Sequence, residues 1–252
     1  MQEKNELLRN LWARFIQLNW KFGLYLIFLF GIPRFWLVQK ANMTGNFSMI
    51  SILFVLMWIF PFVFLTRKGR RSIGMLRPRR LAWLLYSFGL GLLGCSIMFL
   101  IGNILFDGSI NNWFEYISSI YQLQTGEISA NDKHIYFIIF SLIGVTFSPI
   151  GEELIYRGVI HKAIANSFGD RNAAIIDSAA FGLTHLAHFG IVYQLGEWQF
   201  LFVPALIWVL LIFGTGLLFN VCRAITGSIL GAIICHAGFN LAMTYFIFYH
   251  IY

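Results

Sequence analysis

Charged side chains are scarce in this chain of 252 residues: only 12% are Asp, Glu, Lys or Arg, against about 25% in soluble domains. Hydrophobic residues make up 58% of the chain, and the mean hydropathy is +0.72. Several windows are apolar over about 20 residues, the length that crosses a hydrocarbon core about 30 Å thick. They lack the alternation of barrel strands. The sequence therefore predicts an all-α polytopic membrane protein.

Other patterns are also missing. The three cysteines, Cys95, Cys222 and Cys235, lie in separate apolar runs without CxxC spacing and are read as core thiols, so the sequence supports neither a disulfide framework nor a cysteine metal site. A phosphate-binding glycine loop is absent, which argues against an ATP-driven pump. The net charge is +7, but the basic residues fall in short loops, as membrane topology requires. The excess of positive charge therefore does not indicate nucleic acid binding.

The apolar windows predict about seven membrane spans, within a range of six to eight. They are residues 22–38, 47–66, 81–106, 135–165, 172–193, 200–222 and 225–252. An interfacial amphipathic helix is predicted over residues 6–21, before the first span. Pro33 and Arg34 interrupt the end of that span, and WFEYISSIYQL (113–123) predicts a surface helix.

A basic segment divides the predicted protein. RKGRRSIGMLRPRR (67–80) has seven basic residues and is read as a cytoplasmic loop that contacts anionic lipid. This loop predicts a plasma-membrane protein with its N-terminus in the cytoplasm. We expect residues 1–134 to contain the amphipathic helix and three spans. Residues 135–252 are expected to form a catalytic core of four helices that contains the site.

Polar residues that are costly in a bilayer are concentrated in the second half of the chain. They lie in spans four, five and seven: Glu152, Glu153, Arg157, Asp177, His185, His188, His236 and Asn240. An ionisable side chain at the bilayer centre costs a few kcal/mol or more, so such residues face the bundle interior and usually mark function.

Spacing assigns these residues different tasks. Glu153 and Arg157 are four residues apart and predict an ion pair on one helix. Glu152 points about 100° away and has no partner in the sequence. Counting from the cytoplasmic charges places Glu152, His185 and His236 at similar depths, roughly 15 to 21 Å. Three helices are therefore predicted to form one site.

The other polar residues receive simpler interpretations. Asp177 is read as an acid at a helix start near the interface, with orientation of His185 from two turns away as the alternative. His188 is read as structural because it is off the His185 face by about 60°. His134, His161 and His250 are expected to be solvated near the membrane boundaries.

A carboxylate beside a histidine is able to hold and deprotonate a water molecule. A second histidine with an amide side chain is able to donate hydrogen bonds to an oxyanion. Together they suffice for attack of water on a peptide bond without a serine or cysteine nucleophile. The alternative is a Zn²⁺ ion held by Glu152, His185 and His236 with one open position, although the zinc motif H-E-x-x-H is absent.

Three motifs follow one another on successive predicted helices: E-E-x-x-x-R (Glu152, Glu153, Arg157), F-x-x-x-H (Phe181, His185) and H-x-x-x-N (His236, Asn240). In this order they resemble the CPBP family of CAAX proteases and bacteriocin-processing enzymes, also called the Abi domain. The resemblance implies an all-helical intramembrane endopeptidase with a cavity open to the cytosol.

Carried over to this sequence, the resemblance makes Glu152 the base and His185 a second group that holds the water. His236 and Asn240 would form the oxyanion hole. Glu153, Arg157 and Phe181 would support these groups. The family leaves the need for a metal undecided, so a Zn²⁺ cofactor stays open.

Several functions and partners remain open. The substrate would be a peptide or lipidated protein, such as a CAAX tail, a pheromone precursor or a bacteriocin precursor. An alternative is a non-catalytic scaffold or immunity protein that binds a sensor kinase in the same pocket, and a peptide-export system is another expected partner. A proton-coupled transporter would place broken helices in both halves of the chain, whereas these polar groups are confined to the second half.

Overall fold

Long helices form most of the protein. The computed structural model describes residues 6–120 and 130–251. Its long helices are α2 (Trp20–Thr44), α3 (Ser48–Phe64), α5 (Ala82–Phe106), α7 (Ala130–Glu153), α8 (His161–Thr184), α9 (Phe202–Thr226) and α10 (Ile229–Phe246). The short helices are α1 (Asn10–Ala13), α4 (Arg67–Ser72) and α6 (Trp113–Ile120).

Five further elements are described between or after these helices. A π-helix, Leu154–Ile160, connects α7 to α8, and a 3₁₀ turn, His185–Ala187, follows α8. Strands β1 (Ile191–Gln194) and β2 (Glu197–Phe200) then form an antiparallel hairpin, with Ile191 opposite Phe200. A second π-helix, Ile247–Ile251, follows α10.

Within the described residues, five helical segments are long and apolar enough to cross a membrane, and α3 is a shorter apolar helix. One of the five, Asp132–Ala187, is 56 residues long, more than twice the length that a bilayer requires. It bends at Gly169, whose φ of 81° is not helical, and this bend divides it into two helical parts. The prediction of an all-α polytopic membrane protein is confirmed.

The predicted start of the chain is wrong in two places. The first span was predicted over residues 22–38 with its end interrupted at Pro33 and Arg34, whereas α2 contains both residues without a break and continues to Thr44. A continuous amphipathic helix over residues 6–21 is also absent from the described part, which has only α1. The segment before α1 instead packs against the end of α3, because Leu8 bridges to Leu65 and Thr66 donates a backbone hydrogen bond to Leu7.

The fifth span is shorter than predicted. Its helix ends at Thr184, and residues 191–194 form a strand instead of the end of a span. The turn of the hairpin requires left-handed backbone, which Leu195 (φ 53°) and Gly196 (φ 87°) adopt. The surface helix was predicted correctly as far as it is described, as α6, while residues 121–123 lie outside the described residues.

Helix α10 carries His236 and Asn240 and packs against α5, α7 and α9. Glycines allow the contact with α5 to be close. A Cβ on Gly91 would lie 1.9 Å from the Cys235 carbonyl oxygen, and one on Gly238 would lie 2.4 Å from that of Phe88. Small residues at such crossings are typical of helix pairs in membranes.

The first helices pack directly on the C-terminal ones. Helix α2 contacts α8 and the first π-helix, and α3 contacts α7. Gly31 on α2 faces Thr184, whose methyl group would lie 3.1 Å from an added Cβ. The division of the chain into parts 1–134 and 135–252 stays a prediction, but the two parts share an extensive packed surface.

Candidate active site

The two glutamates and the arginine of the first motif are completely buried where α7 gives way to the π-helix. Pro149, in the last turn and a half of α7, has no N–H to donate within the helix. Gly151 lets α3 approach, because a Cβ there would lie 3.0 Å from the Phe54 carbonyl oxygen. Short π-helical segments often occur at functional sites.

Glu153 joins α7 to α10. Its Oε1 accepts hydrogen bonds from Arg157 Nη1 at 3.2 Å and from His236 Nδ1 at 2.9 Å. The predicted ion pair with Arg157 is therefore present. Because an ionised carboxylate only accepts, the hydrogen of this contact is on His236 Nδ1. His236 Nε2 then faces the other glutamate, 4.0 Å from Glu152 Oε2.

A second buried carboxylate braces Arg157 from α8. Asp177 Oδ1 lies 3.8 Å from Arg157 Nε and accepts a hydrogen bond from Asn220 Nδ2 at 2.8 Å. Its Oδ2 accepts one from His161 Nδ1 at 2.7 Å. The interpretation of Asp177 as an interfacial acid is therefore wrong, and so is that of His161 as solvated, because both side chains are buried.

Phe181 lies at the centre of the aromatic wall. Its ring centroid is 4.2 Å from the guanidinium carbon of Arg157 and 4.3 Å from the His185 ring. Its edge also faces the ring of His236, which stacks on Phe219 at 4.7 Å. A buried cation over an aromatic face is stabilised electrostatically. The structure thus places Phe181 against His185 and His236, two of the residues that it was expected to support.

His185 is held at both ring nitrogens. Its Nδ1 donates to the Phe181 carbonyl oxygen at 2.7 Å, and its Nε2 lies 3.3 Å from Arg34 Nη2. Because a guanidinium only donates, Nε2 is the acceptor of this hydrogen bond. The Trp208 indole also donates to the His185 backbone carbonyl at 2.9 Å.

The prediction that Glu152 has no partner is wrong, because Arg34 contacts it. Its Nη2 lies 2.7 Å from Glu152 Oε1. The two hydrogens of Nη2 point to His185 Nε2 and His188 Nε2, at 3.3 Å each. The contact with Glu152 is therefore a close ion pair without an aligned N–H, and among the described residues neither Glu152 oxygen accepts a hydrogen bond.

His188 belongs to the same cluster. Its Nε2 accepts a hydrogen bond from Arg34 Nη2, because a guanidinium only donates. The sequence pattern indicated that His188 is structural and that Arg34 interrupts the end of the first span. The available signal was a cation inside the apolar predicted span 22–38, which is costly without a buried partner.

Asn240 lies one turn after His236 on α10. Its Nδ2 donates one hydrogen bond to the Gly144 carbonyl oxygen at 2.9 Å. An amide NH₂ group has two N–H donors, so one remains. Asn240 and His236 both line the cavity described next.

A cavity of about 480 Å³ adjoins the cluster and is lined mainly by apolar residues. Arg34, His185 and His236 form part of its wall, whereas Glu152 is not a lining residue and lies behind Arg34 and His236. Gly45, which caps the C-terminal end of α2, and Ile120, the last residue of α6, also line it. The cytoplasmic position of loop 67–80 and a cavity open to the cytosol stay predictions.

Comparison with known families agrees with the three motifs. Residues 134–242 match the family model described as Rce1-like, type II CAAX prenyl endopeptidase Rce1-like. This match covers 109 of the 252 residues, less than half of the chain. The resemblance to the CAAX proteases is thereby confirmed. No curated protein and no solved structure matches the chain.

The Rce1-like segment contains every site residue that the sequence predicted, from Glu152 to Asn240. It brings Glu152, Glu153, Arg157 and His236 into direct or nearly direct contact. Arg34 lies 100 residues before its first residue and nevertheless makes the closest contact to Glu152. The site therefore extends beyond the family segment.

A zinc site fits this arrangement poorly. Within the described residues, no three His, Cys, Asp or Glu side chains are grouped so as to hold a metal ion. Arg34 Nη2 contacts both Glu152 and His185, so a positive charge already occupies the place where these two would share a cation. Zinc ligation by Glu152, His185 and His236 stays a prediction, and no step below depends on it.

Proposed function

We propose that the protein is an intramembrane endopeptidase that hydrolyses a peptide bond with a water molecule activated by Glu152. One observation carries the proposal. Glu152 is fully buried, and neither of its oxygens accepts a hydrogen bond from the described residues. Buried polar atoms are nearly always hydrogen-bonded. A carboxylate without donors, beside an imidazole nitrogen at 4.0 Å, is therefore suited to receive a reactant water.

His236 is proposed to hold this water together with Glu152. The 4.0 Å between His236 Nε2 and Glu152 Oε2 suits one water that makes two hydrogen bonds of about 2.8 Å. Glu153 fixes the tautomer of His236, because it accepts from Nδ1. This differs from the role that the resemblance implies for His185, whose Nε2 already accepts from Arg34.

The reaction then proceeds in two steps. The water oxygen bonds to the carbonyl carbon of the substrate while Glu152 takes a water proton. The remaining N–H of Asn240 donates to the oxyanion that forms. Glu152 next passes the proton to the amide nitrogen as the C–N bond breaks. The products are a carboxylic acid and an amine, and Glu152 is again a carboxylate.

The cavity supports a lipidated or apolar substrate. Its wall is mainly apolar, and 480 Å³ is within the range of ligand pockets, roughly 300 to 1,000 Å³. The family description supports a CAAX tail that carries a prenyl group. Pheromone and bacteriocin precursors remain the other proposed substrates.

The test uses the purified protein in detergent with an internally quenched peptide that ends in a farnesylated CAAX sequence. Glu152→Gln should lower kcat by about 10² to 10⁴-fold or more, the range for loss of a general base. Glu197→Gln is the matched control, because Glu197 is exposed on β2. Cleavage by Glu152→Gln at the wild-type rate would contradict the proposal.

A second candidate is a non-catalytic membrane protein that uses the cavity to bind a sensor kinase or a peptide-export component. The position of Glu152 behind Arg34, away from the cavity wall, favours it. The same peptide assay distinguishes the two functions, because a scaffold cleaves nothing. In cells, a scaffold would keep its biological output after Glu152→Gln.

A further inference from the structure

Arg34 reaches the site from α2, outside the segment that matches the family. It is 2% exposed and lines the cavity wall. Nη1 donates to the Thr184 hydroxyl at 3.1 Å, in addition to the contacts of Nη2 with Glu152, His185 and His188. Its partners thus come from α7, from the end of α8 and from the turn that follows.

The local sequence explains why this arginine reaches so far into the bundle. Gly31 precedes Arg34 by three residues, and on a helix this places the two about 60° apart, on one side of α2. Because Gly31 has no side chain, α2 lies against Thr184, whose methyl group would be 3.1 Å from an added Cβ. The close approach brings the guanidinium to the acceptors at the end of α8.

These acceptors orient the guanidinium independently of Glu152. Thr184, His185 and His188 accept its hydrogen bonds on one side, and they leave the charge of Nη2 facing Glu152 Oε1. A buried carboxylate without a counterion is strongly disfavoured. Arg157 instead donates a hydrogen bond from its Nη1 to Glu153. Arg34 is therefore the cation in contact with Glu152.

We propose that Arg34 is a positioning residue for the hydrolysis: it keeps Glu152 charged and fixed, with its Oε2 directed toward His236, while His188 holds Arg34 in place. This inference rests on the proposed function. It assigns His185 and His188 a shared task, namely to accept from Arg34. It also extends the functional unit to the first long helix of the chain.

The test compares kcat and KM of Arg34→Gln, Arg34→Lys and wild type on the farnesylated quenched peptide. Arg34→Gln should lower kcat at least about tenfold, part of the contribution of a general base, and change KM by less than about threefold. Arg34→Lys should restore part of kcat, because an ammonium supplies the charge but not the planar fork of donors. Arg14→Gln, at an exposed site, is the matched control.

His188→Leu provides a second measurement if Arg34→Gln does not fold. It removes one acceptor of Arg34 and leaves Glu152 and His236 in place, so it should lower kcat by a smaller factor. If His188 acts only through Arg34, the two effects should not be independent. The fold-loss of kcat in the double variant Arg34→Lys, His188→Leu should then be smaller than the product of the fold-losses in the two single variants. Thermal unfolding of each variant checks that the folded protein is being assayed.

The possible results separate the two proposals. If wild type does not cleave the peptide, or Glu152→Gln cleaves it as well as wild type, the proposed function fails. Suppose that wild type cleaves the peptide and Glu152→Gln does not. If folded Arg34→Gln then has the kcat of wild type, the positioning role of Arg34 is overturned, while the proposed function stands. A higher kcat in Arg34→Gln also overturns it, because Arg34 would then only block Glu152 from the cavity.

Discussion

Asp177 and Asp170 contact the same histidine from very different environments. Asp177 Oδ2 lies 2.7 Å from His161 Nδ1 and is fully buried. Asp170 Oδ1 lies 3.3 Å from His161 Nε2, and its side chain is 91% exposed. Replacing each aspartate by asparagine therefore compares a buried contact with an exposed one on a single imidazole.

The magnitude for Asp177→Asn follows from its hydrogen bonds. Asn220 Nδ2 donates to Oδ1, and His161 Nδ1 donates to Oδ2, so both oxygens are acceptors. Asparagine replaces one of them with an NH₂ donor. A charge-assisted hydrogen bond is lost, about 1.5–3 kcal/mol, and a buried donor is left without an acceptor, about 1–3 kcal/mol. The expected destabilisation is about 3–5 kcal/mol, as for other broken buried ion pairs.

Unfolding of the purified variants in mild detergent, followed by tryptophan fluorescence, measures this loss. Asp177→Asn should unfold at clearly lower temperature or denaturant concentration than wild type. Asp170→Asn should be indistinguishable from wild type, because water replaces its exposed contact. Equal stability of the two variants would refute the argument that Asp177 is a buried brace for Arg157.

Two further predictions concern helix packing and metal. Gly91→Ala should destabilise the protein by about 1–3 kcal/mol through overpacking, because its Cβ would lie 1.9 Å from the Cys235 carbonyl oxygen. Gly89→Ala, with nothing within 4 Å, should not destabilise it in the same unfolding measurement. Peptide cleavage should persist after dialysis against 1,10-phenanthroline, since Arg34 contacts both Glu152 and His185; loss of activity that zinc restores would contradict this.

Contacts within one helix were predictable, because a fixed rise and turn place residues four apart on one face. Glu153 and Arg157 show this, as does the contact of Phe181 with His185. The apolar windows likewise identified the long helices, since the hydrocarbon thickness dictates their length. The collection of Glu152, His185 and His236 in one cluster followed from their similar depths.

Contacts between distant helices were not predictable from spacing. The pairing of Arg34 with Glu152 depends on how α2 packs against the end of α8, and a single sequence does not specify that packing. Asp177 was misjudged for the same reason, because Arg157 and Asn220 come from other elements and His161 reaches it across the bend of α8 at Gly169. The hairpin was missed because IVYQ is apolar enough to continue the preceding apolar window.

The three buried carboxylates differ in how far the protein satisfies them. Asp177 accepts hydrogen bonds at both oxygens, Glu153 at one, and Glu152 at neither, within the part of the chain that the structure describes. Unsatisfied buried oxygens lower stability, so a carboxylate with a purely structural role would be expected to resemble Asp177. Arg34 supplies charge to Glu152 while its N–H groups bond to His185, His188 and Thr184. This arrangement keeps the carboxylate buried without a donor from the described residues, as its proposed role of general base requires.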